Sequence, residues 1–478
     1  MYYCAASIMK SVRVLNSFHK SLSNFGLLRY AHTVREPSCP DQRKTAKWVT
    51  SADEIFNCLK DGSSTFVQGG AMTPTHLVKA LHKYAVSNNL KNLKTVHIHT
   101  EGEFPFNDEN VKGTFRTVSL FTGGNCRQAL KEGRADYVPV FLHEIPALFR
   151  RHIIPLDIAL INVSPPDKHG FCSIGVSVDV TRSALEVAKV IVAQVNPHVP
   201  VCKGDAEIHI SNIDYVIDGP MPLHEMATRQ SSDAEKQIAT LIANELITDG
   251  CTLQTGIGSI PDAVLALLTN HKDLGVHTEL FSDGLVELFK TGVVTNSKKK
   301  LLPGKIVTSF VIGSKKSFDF CDGNACVELR DVAWTNNPYN IAQNPKPTAI
   351  NSCIELDLTG QIVSDSIGTQ IYSGFGGQVD FLRGAAISAD GQGLPIIALT
   401  STTKRGESKI VPFLKQGAGV VTTRAHVHYV VTEFGIAYLY GKNLRQRAYH
   451  LINIAHPDHR ERLEKGAFEV LKCMPSAD

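Results

Sequence analysis

The chain is poor in the features that announce several common functions. Aromatic residues are 7% of the sequence, with Trp at only 2 positions. No apolar run approaches the roughly 18–20 residues that a membrane-spanning helix needs. Gly and Pro, 36 and 22 of 478 residues, are too few for a collagen-like or low-complexity chain. There is no G-x-x-x-x-G-K-[ST] and no G-x-G-x-x-G after a strand, so ATP and dinucleotide readings lose their main support. No H-E-x-x-H metal site and no G-x-S-x-G elbow occur. Cys is present at 11 positions but never as C-x-x-C, and the close pair Cys321 and Cys326 has no second pair to complete a zinc site. Scattered, odd-numbered cysteines in a long chain are expected to be reduced and mostly buried.

The most telling absence is at the front. Residues 1–35 hold Lys10, Arg13, Lys20, Arg29 and Arg35 and no acidic residue. They are also rich in Ser and in apolar residues such as Ile8, Leu15, Leu22 and Leu27. That composition is expected of a mitochondrial transit peptide, and a matrix location follows. The whole chain carries a formal +3; without those five cations the remainder is −2. Such a chain has no basic field for nucleic acid, and no membrane partner is expected.

What is present reads as α/β. A length of 478 residues predicts more than one core. Ser64–Gln68 reads as a strand, Gly69-Gly70 as a turn, and Thr73-Pro74 as the start of a helix carrying Leu77, Val78 and Leu81 on one face. Thr252–Thr255, Gly256-Ile257-Gly258 and Ile260-Pro261 repeat that order, followed by Val264, Leu265 and Leu268. A second echo pairs His99-Thr100-Glu101 with His277-Thr278-Glu279. We read an internal duplication. Apolar runs at Leu156–Val163, Val187–Val195 and Ile213–Asp218 predict buried strands. Gly219 to Gln230, with Pro220 and Pro222, predicts a linker. Ser232-x-x-Glu235 predicts a capping box opening a helix with Ile238, Leu241, Ile242 and Leu246 on its apolar face. The expected fold is two similar tandem α/β domains, at about 40–220 and 230–478, with largely parallel sheets.

Three glycine- or hydroxyl-rich patches stand at positions where such folds bind ligands. Thr255-Gly256-Ile257-Gly258 ends a strand before a helix, where free N–H groups suit an anion; a tight structural turn is the competing reading. Ser373 to Phe381 holds Gly374, Gly376 and Gly377, which let backbone approach a ligand. Thr400 to Gly406 places Lys404 and Arg405 among hydroxyls, which suits a phosphate or an ordinary solvated loop. Glu279, 21 residues after Gly258 and between Val276 and Leu280-Phe281, is a candidate nucleophile or base on a short strand. The duplication makes Glu101 an equal competitor.

Longer stretches resemble a known family. Gly374 to Gly384 (GFGGQVDFLRG), Lys409 to Pro412 (KIVP), Val427 to Ala437 (VHYVVTEFGIA) and Ile454 to Asp458 (IAHPD) resemble the acetyl-CoA hydrolase/CoA-transferase family. Val163 to Asp167 with His169-Gly170, and Asn196-Pro197, add matches in the first half, so the resemblance spans roughly residues 45–470. It implies two similar α/β domains and a catalytic glutamate at Glu279 in preference to Glu101. It implies oxyanion or substrate contacts from Ile257 and Asn351, and CoA contacts from Thr255, Gly256, Ile257, Gly258, Gly376, Gly377 and Lys404. No metal or cofactor is implied; coenzyme A enters as substrate, with acyl-CoA and small carboxylic acids as ligands. The implied activity moves CoA between acetate or propionate and succinate through a glutamyl-CoA thioester. Acetyl-CoA hydrolysis, 4-hydroxybutyrate CoA transfer and a non-catalytic CoA-binding role are the alternatives. A homodimer or higher homo-oligomer is expected. The chain departs from the family's usual pattern at Phe375, where a smaller aliphatic is usual, and at His426, where Asp is frequent. The Phe375 ring is therefore expected to narrow the acyl pocket.

Overall fold

The structure, a computed structural model, describes residues 35–226, 230–256 and 258–478. The proposed transit segment therefore lies outside the described residues, apart from Arg35, and Ile257 lies outside them too. Two parallel sheets organise the rest. The first has eight strands in the order Lys47–Trp48, Tyr215–Asp218, Val190–Val195, Ile158–Val163, Ser64–Val67, Leu93–His97, Phe115–Ser119, Ala135–Tyr137, all parallel. The second has six, in the order Gly275–Val276, Thr252–Thr255, Pro347–Ser352, Leu394–Ala398, Tyr429–Thr432, Gly435–Tyr438. It is parallel except for the closing hairpin.

The central strands are buried on both faces, which is why they read as unbroken apolar runs: every residue of Ile158–Val163 is buried. The duplicated unit forms as expected. The helix Thr75–Ser87 follows Pro74 and buries Leu77, Val78 and Leu81. The helix Ser259–Leu267 follows the second turn and buries Val264 and Leu265. Ser232 and Glu235 close a reciprocal capping box on the helix Asp233–Glu245. The three expected apolar-run strands begin later than expected, at Ile158, Val190 and Tyr215 rather than Leu156, Val187 and Ile213. Val187 ends the helix Thr181–Val187, and the strand starts at Val190, because an apolar run alone does not separate a buried helix end from a strand.

The described first part of the predicted linker, residues 219–226, has no regular structure but is pinned. Gln194 Nε2 donates to Gly219 O at 2.9 Å, Asn196 Nδ2 to Met221 O at 2.8 Å, and His224 N to Ala71 O at 3.3 Å. One apolar cluster runs from Ala46 through Val176, Phe281 and Val311 to Val431, so one face of each sheet shares a core, while Val67, Leu160 and Val192 of the first sheet and Ala349, Ile397 and Val430 of the second belong to separate clusters. Cys126, Cys172, Cys202, Cys251 and Cys321 are buried free thiols; Cys326 and Cys353 are half-buried, and Cys39, Cys58 and Cys473 are exposed. Among the described residues no helix is long and apolar enough to cross a membrane. No metal-holding group of His, Cys, Asp or Glu occurs among them either.

Candidate active site

Glu279 does not lie on a strand. It occupies a bend between the short strands Gly275–Val276 and Leu280–Phe281. The bend exists because the neighbouring segment captures its main chain. Glu279 O accepts from Ser309 N at 2.9 Å, Phe310 N at 3.0 Å and Thr308 Oγ1 at 2.9 Å. Three donors on one carbonyl hold the residue in place independently of its side chain.

The carboxylate meets groups from three distant segments. Asn336 Nδ2 donates to Glu279 Oε2 at 2.7 Å. The Gly377 N–H faces the same carboxylate. A Cβ at position 377 would overlap Oε2, so only glycine lets this backbone come so close. At Gly376 the φ of +55° also favours glycine, and a Cβ there would sit 3.9 Å from Glu279 Oε1 and 3.4 Å from the Phe121 ring. Burial pushes the Glu279 carboxyl up to about 7, Asp380 adds to the rise, and the Asn336 amide and Gly377 N–H oppose it. A carboxylate destabilised in this way, yet still part-exposed, is suited to act as a nucleophile near neutral pH.

The glycine loop is held from the other sheet. Thr122 N donates to Ser373 O at 3.3 Å, and Leu142 N to Gly376 O at 3.4 Å. Arg127 Nε donates to Tyr372 O at 2.6 Å while its guanidinium lies 3.7 Å from the Tyr372 ring centre. Phe121 follows the strand Phe115–Ser119, and Phe141 and Leu142 follow Ala135–Tyr137, so these contacts come from the carboxyl ends of parallel strands. The Phe375 ring packs edge-on against Phe141, with centroids 5.5 Å apart. An aromatic wall of Phe121, Phe141 and Phe375 thus stands around the loop that touches Glu279.

The other expected site residues fall into two places. Thr278 Oγ1 bonds Thr255 O at 3.3 Å, which sets Thr255-Gly256 beside Thr278-Glu279. Asn351 is buried in the next strand, close to Gly256, but its amide is paired with Gln254: Asn351 Nδ2 donates to Gln254 Oε1 at 2.9 Å. The amide that reaches Glu279 is that of Asn336. Gly258 starts the helix Ser259–Leu267 with φ +129°. Lys404 is exposed at the tip of a turn closed by Thr403 N to Glu407 O at 2.8 Å. Lys409, five residues on, points inward instead, its Nζ donating to Thr400 Oγ1 at 2.8 Å, and burial lowers its pKa. His426 is part-exposed and bonds only weakly to Thr423 Oγ1, at 3.5 Å.

Sequence reasoning missed Asn336, and with it Asp380 and His143 behind it. Asn336 follows Thr335 in a turn that His277 ties down, its Nε2 at 2.8 Å from Thr335 O and its Nδ1 at 3.0 Å from Asn344 Nδ2. Nothing in a stretch reading Trp334-Thr335-Asn336-Asn337 marks one Asn as the ligand of a carboxylate 57 residues earlier. The Asp380 signal was available, since it lies inside the GFGGQVDFLRG stretch.

Both halves of the chain are similar to known proteins. The family description "Acetyl-CoA hydrolase/transferase N-terminal domain" matches residues 37–223, and "Acetyl-CoA hydrolase/transferase C-terminal domain" matches residues 313–467. A succinyl-CoA:acetate/propanoyl-CoA:succinate CoA transferase of Fasciola hepatica is 64% identical over 447 residues, 94% of this chain and 93% of that protein. Two solved structures share the fold: RipA from Yersinia pestis, at TM-score 0.82 and 32% identity over 89% of this chain and 97% of that one; and a 4-hydroxybutyrate CoA-transferase from Porphyromonas gingivalis, at TM-score 0.74 and 38% identity over 89% and 97%. With a carboxylate seated against a glycine loop where two parallel sheets meet, and with both halves matched, the chain belongs to the acetyl-CoA hydrolase/transferase family.

Proposed function

We propose that the protein is an acyl-CoA:carboxylate CoA-transferase, moving CoA between acetyl-CoA or propionyl-CoA and succinate, with Glu279 as the covalent nucleophile. The observation that carries this is the Glu279 carboxylate held by Asn336 Nδ2 at 2.7 Å against the Gly376-Gly377 backbone.

One Glu279 oxygen attacks the thioester carbon and expels CoA thiolate, leaving an acyl-glutamyl anhydride. The thiolate attacks Glu279 Cδ and expels the first acid, which departs with one oxygen from Glu279. The glutamyl-CoA thioester then meets the second acid, and the same two steps run in reverse. Thioester energy stays covalent throughout, and the sequence calls on no group beyond the chain and its substrates. When thiolate attacks Cδ, charge collects on oxygen of the Glu279 carboxyl group, which the Asn336 amide and the Gly377 N–H already face. Donors placed before the charge forms need no reorganisation when it does, and losing one typically costs about 10²–10³ in rate. The Thr255-Gly256 turn, Asn351 and the inward-pointing Lys409 are further candidates for contacts to CoA. A mitochondrial matrix location rests on the basic, acid-free residues 1–35.

The deciding experiment follows free thiol from acetyl-CoA with and without succinate. Succinyl-CoA formation that depends on succinate, with little free CoA, is the expected result. Free CoA released at the same rate without succinate would make the protein a hydrolase. With ¹⁸O-labelled succinate, label should pass through Glu279 into the acetate released over repeated turnovers.

A further inference from the structure

Behind Glu279 lies a chain of polar groups that the transfer chemistry does not itself require. Asp380 sits on the helix Gln378–Ala386 with its side chain 1% exposed. Its Oδ1 is 2.7 Å from His143 Nδ1, and its Oδ2 is 3.4 Å from both His143 N and Asn336 Nδ2. Asn336 Nδ2 therefore lies between two carboxylates, while Asn336 Oδ1 is buried without a partner among the described residues. Turned the other way, the amide would aim its oxygen at both. His143 belongs to the other half of the chain, after the first sheet's edge strand Ala135–Tyr137, and its side chain is 26% exposed. It reaches solvent where Asp380 does not.

We propose that His143 is a positioning residue for the transfer reaction: it holds Asp380 as an ion pair, and Asp380 holds the Asn336 amide with its N–H groups toward Glu279. A buried carboxylate without its partner would be costly, and next to a second carboxylate it would draw a proton onto one of them. The His143 proton balances Asp380, so Glu279 can lose its own proton and attack. The charged groups facing His143 are Asp380 and Glu144, both of which favour its protonated form; burial opposes them. Asp380 faces His143 and Asn336, and Glu279 faces Asn336, Gly377 and Asp380. Because the histidine comes from the first half and the other three residues from the second, the arrangement forms only when the loop around Leu142 is seated on Gly376.

This inference rests on Glu279 as the nucleophile. Its test is the pH profile of kcat/KM for acetyl-CoA, measured in the full chain with succinate as acceptor, whose acid limb reports the free-enzyme ionisation of Glu279. His143→Asn keeps a donor where Nδ1 stands and removes the charge, leaving Asp380 uncompensated. The limb should move up by about one pH unit, within the range expected of a neighbouring charge. Asp380→Asn removes the second negative charge, and the limb should move down. His143→Gln repeats the first arm with a longer amide, should His143→Asn fold poorly. Opposite shifts support the proposal. Equal losses of rate with unmoved limbs, or shifts in the same direction, overturn it. If the wild-type protein forms no hydroxylamine-sensitive glutamyl thioester with acyl-CoA, the nucleophile assignment fails instead, and the two failures are distinct.

Discussion

The two halves carry the same local motif and put it to different use. In each, a strand ends in a glycine turn that leads into a helix, and a His-Thr-Glu run follows the neighbouring strand. Gly70 bridges Thr100 in the first half, and Thr278 bonds Thr255 in the second. Beyond that the environments part. Glu101 has its N–H bound by Thr73 Oγ1 at 3.0 Å, its carboxylate has no hydrogen bond among the described residues, and burial raises its pKa. The adjoining Gly102 lies under the His224 ring, and His224 Nε2 is 2.9 Å from Thr75 Oγ1. The linker thus covers the first turn. Glu279 instead has its carbonyl held by 308–310, its carboxylate met by Asn336 and the Gly376-Gly377 loop, and its carboxyl pushed up to about 7 by burial. A duplicated motif supplies a position for a carboxylate; the segments packed around it decide whether that carboxylate is reactive.

That contrast is breakable. Glu279→Ala should lower turnover by at least about 10⁴, the scale of losing a covalent nucleophile, and abolish thioester trapping by borohydride or hydroxylamine. Glu101→Ala should keep most activity, and a dead Glu101 variant with an active Glu279 variant would reverse the assignment. Gly377→Ala comes next: its Cβ overlaps Glu279 Oε2, so kcat should fall about 10²–10³ while melting shows a folded protein. Gly70→Ala, whose Cβ would meet only Ser177 Oγ at 3.8 Å, should instead show its effect in stability, about 1–2 kcal/mol from a φ of +56°.

A smaller effect separates the two carboxyls by pH. Glu279 holds its proton more tightly folded, up to about 7, than unfolded, near 4.5. The stability this provides is full below 4.5 and is lost as pH rises through 7. Glu279→Gln, which does not titrate, should therefore gain on the wild type across that window, by about 2 kcal/mol at pH 8 after allowance for partial exposure. Glu101→Gln should move the same way by less, read by denaturant unfolding at pH 4 and pH 8. Smallest is Phe375→Ala. Removing the ring that packs on Phe141 should raise the butyryl-CoA to acetyl-CoA ratio of kcat/KM about tenfold, since each methylene accommodated is worth about 1–3 kcal/mol. An unchanged acyl-length profile in a folded variant would show that the ring faces away from the pocket.

Much of the architecture was legible because it is local. Apolar runs bounded by Gly, Pro or Asp marked the buried strands, and Ser232 with Glu235 marked a helix start, since each depends on residues within one turn or one strand. The boundary at Val187–Val190 was not, because burial on all sides erases the period that separates helix from strand. Glu279 was singled out by its apolar flanks, but nothing local distinguished it from Glu101. Asn351 was implied by the family resemblance alone; in the structure it lies close to Gly256, with its side chain paired with Gln254.

The sequence by itself determined the α/β class, the repeated strand–turn–helix unit, the glycine loop at 374–377 and the pair of glutamates from which the nucleophile comes. Those follow from spacing, capping and the special reach of glycine, all short-range properties. Only the tertiary structure decided that Asn336 rather than Asn351 meets Glu279, that Gly377 must lack a Cβ, and that His143 reaches across from the first half to Asp380. Hydrogen bonds of 2.7 Å between residues 57 and 237 positions apart depend on how two sheets seat their loops against each other. No pattern within a single strand or turn encodes that distance.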